Sequence, residues 1–215
     1  MEAHQLSKLL EPFLRAPTTK ALPLNQSQIE NISNYVDLLL RWNARVNLTA
    51  VRRPEEVVTR HFGESLFVAR HLFPSQQAAN EHLIDLGSGA GFPGLPIKIW
   101  APELRLTLIE SNQKKATFLR EVVRKLALTD VEVFSHRAES YSGQADVVTL
   151  RAVERFEQAL PVAIRLLTSS GQIALMVGEG QVARVPHLAS GVVWRDPLPI
   201  PLSTNRVLLI GRLSS

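Results

Sequence analysis

Between Leu83 and Gly94 the chain reads Leu-Ile-Asp-Leu-Gly-Ser-Gly-Ala-Gly-Phe-Pro-Gly, a short apolar run passing straight into Gly87, Gly89 and Gly91. An apolar run this short, bounded by glycines, reads as a buried strand rather than a helix. Glycines at alternate positions let the backbone take left-handed φ values and leave no side chain to keep a ligand away from the main chain. The segment after Gly94 is helical in pattern, so this is a strand-to-helix turn, and it commits the chain to a βα unit. A second strand, Leu104–Glu110, follows at a distance that suits one intervening helix, and it ends in the carboxylate of Glu110.

The alternation continues. The pattern predicts a strand at 83–86 and a helix to about Trp100, then strand 104–110 and a helix from Gln113 to Leu128. Strands at 131–134 and 146–151, a helix from about 156 to 168, and late strands at Gly171–Val177 and Arg206–Ile210 complete the reading. Strands alternating with helices predict an α/β doubly wound, mostly parallel sheet. The stretch with Pro197, Pro199 and Pro201 is too short for another βαβ crossover, so the final strand is expected to be antiparallel.

The N-terminal third reads differently. Leu6, Leu9, Leu10 and Phe13 recur at helical spacing, as do Ile29, Ile32, Val36, Leu39 and Leu40 behind an N-cap at Asn25 or Ser27. The segment Pro17–Pro23 is a linker between them. A third helix is expected to open at Pro54, with Glu55 and Glu56 favourable at the positive helix end, and to stop before Pro74. The polar run 75–81 marks the division: a helical extension over 1–75, packed as one integrated unit on a core over 76–215.

Composition narrows the functional classes. The 215 residues contain no cysteine, which excludes disulfides, thiolate metal sites and cysteine nucleophiles. No apolar window is long enough to span a bilayer, and Met1–Gln5 lacks the layout of a secretory signal, so the expected location is the cytoplasm. The net charge is +4, with Arg41, Arg45, Arg52, Arg53 and Arg60 in one cluster and Lys114, Lys115, Arg120, Arg124 and Lys125 in another. Arginine forks suit phosphate, so nucleic acid is a candidate partner, although the second cluster reads more readily as a solvated helix face.

The turn and its two acids point to a cofactor. An acid at the end of the second strand is where α/β nucleotide folds hold ribose hydroxyls, which gives Glu110 that role. Asp85, just before Gly87, suits a ligand carrying a positive charge, such as the amino group of S-adenosylmethionine, and is poorly placed for a phosphate. A dinucleotide oxidoreductase would also need a substrate domain, and the residues after the fifth strand look like sheet closure. Asp-Leu-Gly-x-Gly-x-Gly followed by an acid on the next strand is a methyltransferase pattern, with Asp85, Gly87, Gly89 and Glu110 as cofactor contacts.

Two segments carry a resemblance to a known family. Trp42-Asn43-Ala44-Arg45-Val46-Asn47-Leu48-Thr49-Ala50-Val51-Arg52-Arg53-Pro54, with Arg60-His61 following, resembles the WNxxxNLTxVRxPxE…RH signature of the bacterial ribosomal RNA small-subunit methyltransferase G family, also called glucose-inhibited division protein B. Asp85–Gly94 resembles that family's cofactor turn, and weaker likeness runs through Ile109-Glu110, Lys114-Lys115, Phe118-Leu119, Arg137-Ala138-Glu139 and Arg151-Ala152. The resemblance implies a Rossmann-like class I methyltransferase with a seven-stranded sheet. It implies S-adenosylmethionine as cofactor, N7 of a guanine in 16S ribosomal RNA of the small subunit as acceptor, and cofactor contacts at Gly87, Phe92, Ala138, Glu139 and Arg151.

The expected molecule is a monomer with no metal and no catalytic general base, because guanine N7 has a lone pair and no proton to remove. Two departures stand out: Gly63-Glu64-Ser65 where the family has Leu-Asp-Ser, and Met176-Val177-Gly178 where it has Leu-Lys-Gly. Trp42, Asn43 and Asn47 read as either structural or RNA-facing, and His61 as a packing residue. A methyltransferase for another RNA, and a cofactor-binding ribosome-assembly protein without turnover, remain alternatives.

Overall fold

A computed structural model describes residues 1–15, 23–153 and 155–214; all of the expected linker Pro17–Pro23 except Pro23 lies outside them. Five strands form the parallel part of one sheet: β1 (His82–Leu86), β2 (Arg105–Ile109), β3 (Val131–Phe134), β4 (Ala145–Arg151) and β5 (Leu167–Gly178). Their order is β3-β2-β1-β4-β5, continued by β8 (Arg206–Leu213) and β6 (Val192–Trp194). The last strand β8 runs antiparallel to β5, as expected from the short connection. β1 is buried along its whole length, which is why its apolar residues Leu83, Ile84 and Leu86 do not alternate with exposed ones.

The sheet has eight strands, not seven, because β7 (Leu198–Pro199) pairs with Val207 and Leu208 of β8. At two residues β7 has no readable period. Pro199 is tolerated there because β7 lies at the sheet edge, where a missing N–H breaks no central ladder. The three-residue β6 escaped sequence reading for the same reason.

Helices α5 (Gly94–Trp100), α6 (Gln113–Lys125), α7 (Phe156–Arg165) and the short α8 (Val185–Leu188) flank the sheet. Before the sheet come α1 (Ala3–Leu14), α2 (Gln26–Asn43), α3 (Pro54–Val57), a π-helical stretch Val58–Gly63, and α4 (Glu64–Leu72). Asn25 caps α2 in a reciprocal box: its side chain accepts from the Gln28 N–H at 2.9 Å while the Gln28 side chain accepts from the Asn25 N–H at 2.9 Å. The Gln28 amide then donates to the carbonyls of Ile99 and Trp100 at 3.0 and 3.1 Å, tying the start of α2 to the end of α5.

Residues 75–81 form a loop without helix or strand, yet the hydrophobic core crosses it. Leu6, Phe13, Ile32 and Phe62 from the helices share one buried cluster with Leu95, Trp100, Leu106 and Leu208 from the α5 side of the sheet. The opposite face packs on α7 through Leu160 and Ala163, and on its C-cap Leu166.

The third helix was expected to be regular from Pro54 onward. Instead the π stretch widens it at Val58–Gly63, a form that admits an extra residue per turn and often marks functional positions. Gly63 sits at its end, against α1: a Cβ there would lie 2.4 Å from the ring of Phe13. The ring of Phe13 thus takes the space that a larger side chain at position 63 would need.

That contact predicts a coupled pair. Gly63→Ala is expected to lower stability by about 2 kcal/mol in urea unfolding, from overpacking against Phe13. Combining it with Phe13→Leu is expected to cost less than the sum of the two single changes.

Candidate functional site

The turn after β1 is fixed from both sides. The N–H groups of Gly87 and Ser88 donate to the Ile109 carbonyl at 2.9 and 3.1 Å, which locks the turn to the end of β2. Gly87, Gly89 and Gly91 all have left-handed φ, at 74°, 57° and 88°. Gly91 is needed for space as well: a Cβ there would lie 2.3 Å from the Tyr35 hydroxyl and 2.5 Å from Leu95.

Both acids hold the turn in shape. Glu110 accepts from the Gly89 N–H at 2.9 Å through one oxygen and from the Asn112 N–H at 2.7 Å through the other. Each oxygen keeps a further acceptor direction, so the ribose role assigned from sequence is compatible with these bonds. Asp85 is buried beneath the turn; it accepts from the Thr149 hydroxyl at 2.7 Å and from the Gly94 N–H at 3.2 Å. Burial pushes its carboxyl up to about 6, against the pull of those hydrogen bonds.

A cavity of about 190 Å³ opens beside the turn, lined by Leu86, Gly87, Glu110, Ala138, Glu139 and Val153 among others. Four residues selected from sequence, Gly87, Glu110, Ala138 and Glu139, therefore meet around one space. Ala138 and Glu139 arrive on a single 3₁₀ turn, Ala138–Ser140. A Cβ at Gly87 would lie 3.3 Å from Val153 and narrow the cavity. Bare backbone, an acid for hydroxyls and an apolar wall of Leu86, Ile109 and Val162 fit an adenosine-bearing cofactor.

The remaining selected residues lie elsewhere. Gly89 gives its N–H to Glu110, and Asp85 sits below the turn. Phe92 turns inward, 7% exposed, and stacks between Tyr35 at 5.5 Å and His61 at 4.8 Å. Arg151, at the end of β4, points under the N-terminal helices. Its guanidinium pairs with Glu64 at 2.9 Å and donates to the carbonyl of Arg60 and to Nδ1 of His61, the latter at 3.3 Å. The π stretch is what brings the Arg60 carbonyl, the His61 ring and Glu64 to one guanidinium.

The Trp42–Arg53 segment resolves into two structural functions. Trp42 donates to Glu121 of α6 at 3.0 Å and packs on Phe118. Asn43 is buried and folds the following loop around itself: its oxygen accepts from the N–H groups of Leu48 and Thr49 at 2.9 and 3.0 Å, and its amide donates to the Thr49 carbonyl at 2.9 Å. The Thr49 hydroxyl so placed meets His61 Nε2 at 2.7 Å. Asn47 is exposed.

His61 is held neutral: burial and the neighbouring guanidiniums of Arg151, Arg60 and Arg206 lower its pKa to about 3. With Nδ1 facing the Arg151 donor, Nε2 carries the proton and donates to Thr49. A motif far from the cofactor turn in sequence thus orients Arg151 through Asn43, Thr49 and His61.

Two members of this cluster were not among the sequence candidates. Glu64 stood out only as a departure from the family pattern. Arg206, which meets the other oxygen of Glu64 at 2.5 Å, opens an apolar strand and gave no signal of its own. The basic residues Arg41, Arg45, Arg52, Arg53, Arg60, Lys114, Arg120 and Arg124 are exposed. Among the described residues no group of three or more His, Asp or Glu could hold a metal, and no helix is long and apolar enough to cross a membrane.

Comparison with known proteins gives a consistent result. A family model described as rRNA small subunit methyltransferase G matches residues 28–189. The ribosomal RNA small subunit methyltransferase G of Roseiflexus castenholzii is 39% identical over 214 residues, covering 94% of this chain and 90% of the relative. That of Chromobacterium violaceum is 36% identical over 182 residues, covering 84% and 85%. Among solved structures, a ribosomal protein L11 methylase from Lactobacillus delbrueckii subsp. bulgaricus superposes with a TM-score of 0.61 at 11% identity, covering 73% of this chain and 80% of that one. TYW2 from M. jannaschii in complex with AdoMet superposes at 0.55 with 17% identity, covering 69% and 74%. The solved structures share the Rossmann-like methyltransferase fold.

Asp85 makes a pH prediction. A carboxyl raised from its ordinary value to about 6 favours the folded state only while protonated, so its contribution is lost as pH rises from about 4 to about 6. Above that window the buried charge costs roughly 2–3 kcal/mol. Asp85→Asn is therefore expected to be at least as stable as the wild type at pH 7.5 in urea unfolding, with the difference closing below pH 4. Its affinity for S-adenosylmethionine is expected to fall at least tenfold, read by calorimetry.

Proposed function

The chain belongs to the rRNA small subunit methyltransferase G family, and from that premise we propose that it moves the methyl group of S-adenosylmethionine to N7 of a guanine in 16S ribosomal RNA of the small subunit. The observation that carries the reading is the cavity where Gly87, Glu110, Ala138 and Glu139 meet; it shares Val153 with the neighbouring cavity that Arg151 lines. Bound S-adenosylmethionine supplies an electrophilic methyl on a sulfonium centre. The protein's task is then to hold that methyl and the guanine in line.

Glu110 takes the ribose hydroxyls while its backbone bonds keep it fixed. Gly87 leaves the main chain open to the ligand, and the 3₁₀ turn with Ala138 and Glu139 borders the base of the cofactor. Asp85 sets the turn from below. Since N7 has no proton, the site needs no general base, and rate enhancement comes from proximity and orientation. Arg151 is held by Glu64, the Arg60 carbonyl and His61 rather than free to swing, which suits a positioning role beside the site. The cytoplasm, where ribosomal subunits are assembled, and a monomeric state complete the proposal.

The alternatives part from this reading on turnover and product. A non-catalytic assembly protein would bind the cofactor without releasing methylated RNA, and a methyltransferase for another RNA would leave 16S RNA unlabelled.

The test is transfer of labelled methyl from S-adenosylmethionine to unmethylated small subunits and to their RNA. Label recovered as 7-methylguanosine in 16S RNA is the expected result. Cofactor binding with no transfer to any RNA form overturns the enzymatic reading. Glu110→Ala is expected to weaken S-adenosylmethionine binding about tenfold, the loss of one or two hydrogen bonds to a charged group. An affinity within twofold of wild type would remove the ribose role.

A further inference from the structure

Glycine adopts either sign of φ at similar cost, so a turn built on Gly87, Gly89 and Gly91 does not choose its own shape. The choice falls to whatever its peptide groups bond to. Two holds come from the β2 side: the Ile109 carbonyl takes the N–H groups of Gly87 and Ser88, and Glu110 takes that of Gly89. Neither touches the carbonyl of Ala90, which sits between two left-handed glycines.

That carbonyl lacks a backbone donor for a reason written in the chain. It stands just before α5, so the N–H groups three and four residues further on are the ones that would serve it. The first position is Pro93, which has no N–H. The second is Gly94, whose N–H goes to Asp85 at 3.2 Å. A buried carbonyl without a donor is costly. Here the donor comes from the helical extension: the Tyr35 hydroxyl of α2 reaches the Ala90 carbonyl at 2.5 Å in a buried bond. Tyr35 is fully enclosed. Burial, helped by the Asp85 carboxylate, holds its phenol well above the usual range, so the group stays protonated and able to donate.

In a trans peptide the carbonyl and the following N–H point in opposite directions. Holding the Ala90 carbonyl toward α2 therefore turns the Gly91 N–H the other way, onto the Ser88 carbonyl at 2.7 Å. The Tyr35 ring is fixed in turn, stacked with Phe92 at 5.5 Å and edge-on to Phe62 at 5.0 Å. The helix is anchored on either side of it. Gln28, Tyr35 and Trp42 recur at heptad spacing, which drifts only about 20° around an α-helix per step, so they share one face. Gln28 donates to the carbonyls of Ile99 and Trp100 at the end of α5, and Trp42 donates to Glu121 of α6.

We propose that Tyr35 is a positioning residue for the cofactor, its hydroxyl setting the orientation of the Ala90–Gly91 peptide that neither β2 nor Glu110 holds. Tyr35 does not line the cofactor cavity, so it acts through the turn. The identity of the ligand rests on the methyltransferase reading; the hold on the turn does not.

The test uses the full chain and Tyr35→Phe, which removes the hydroxyl and keeps the ring. Ile32→Val, which trims another buried side chain of α2 and no polar group, is the control for lost packing. Circular dichroism is expected to show both variants folded. Tyr35→Phe is expected to raise the S-adenosylmethionine Kd about tenfold, the effect of one lost hydrogen bond, and to leave the KM for RNA at saturating cofactor within twofold. Ile32→Val is expected to leave both within twofold. A Kd within twofold in Tyr35→Phe overturns the proposal, and so does equal weakening in the two variants, since packing alone would then account for it.

Hydrogen exchange reads the turn directly. In the wild type the Gly91 amide is expected to exchange as slowly as amides in the middle of β1; exchange at the rate of an open loop overturns the proposal without any variant. In Tyr35→Phe the Gly91 and Phe92 amides, which share the Ser88 carbonyl, are expected to exchange at least about tenfold faster while those of β1 keep their rates. Unchanged exchange at Gly91 overturns the hold on the turn. A wild type that binds no S-adenosylmethionine counts instead against the methyltransferase reading, and the exchange comparison still decides what the hydroxyl does.

Discussion

The Glu64–Arg151 ion pair is the contact on which the relation between the helices and the sheet depends. It joins α4, on the helical extension, to the last residue of β4, and both side chains are almost completely enclosed. A buried ion pair adds little net stability over a well-packed apolar pair, because desolvation offsets the attraction; breaking it by removing one partner is costly. Its presence is therefore better explained by placement than by stability. It sets where the end of β4 meets the extension, and the chain running on from β4 reaches the cofactor cavity at Val153.

The same tension appears in the titratable groups around it. Burial raises Asp85 and Glu64 and lowers His61, each toward its uncharged form. For His61 the sign is opposite to that of Asp85: the unfolded chain takes up a proton below about pH 6.5 that the folded chain refuses until about pH 3. The folded state thus loses support on this residue as the solution turns acidic, while Asp85 withdraws support as it turns neutral. A chain selected for stability alone would not keep both.

Much of this was legible in the sequence, and what was not has a physical reason. The glycine turn could be read because three left-handed residues in five leave few choices other than glycine, and Glu110 because a strand end fixes its position relative to that turn. The cap of α2 was readable to within Asn25 or Ser27, because capping is local; the structure places it at Asn25. By contrast, the π stretch leaves no mark in a hydrophobic pattern, since Val57, Val58, Phe62 and Leu66 suit a regular helix as well. Arg206 and Glu64 are brought together only by the folding of β8 against β5. No local pattern records a pairing made through the whole sheet. β6 and β7 were too short to show a period at all.

The departure at Gly63-Glu64 can now be placed. Removing a large side chain at position 63 admits the ring of Phe13, which draws α1 against the π stretch. The acid at position 64 meets two guanidiniums, those of Arg151 and Arg206. The two changes act on the same short segment, one on its packing and one on its reach, and each is intelligible only with the other in view. A reaction that needs no proton transfer puts its whole demand on position. In this chain a turn of bare backbone lies on one side of the cavity, and a guanidinium held through His61, Thr49 and Asn43 lies at the end of β4, from a helical segment that touches no part of that cavity.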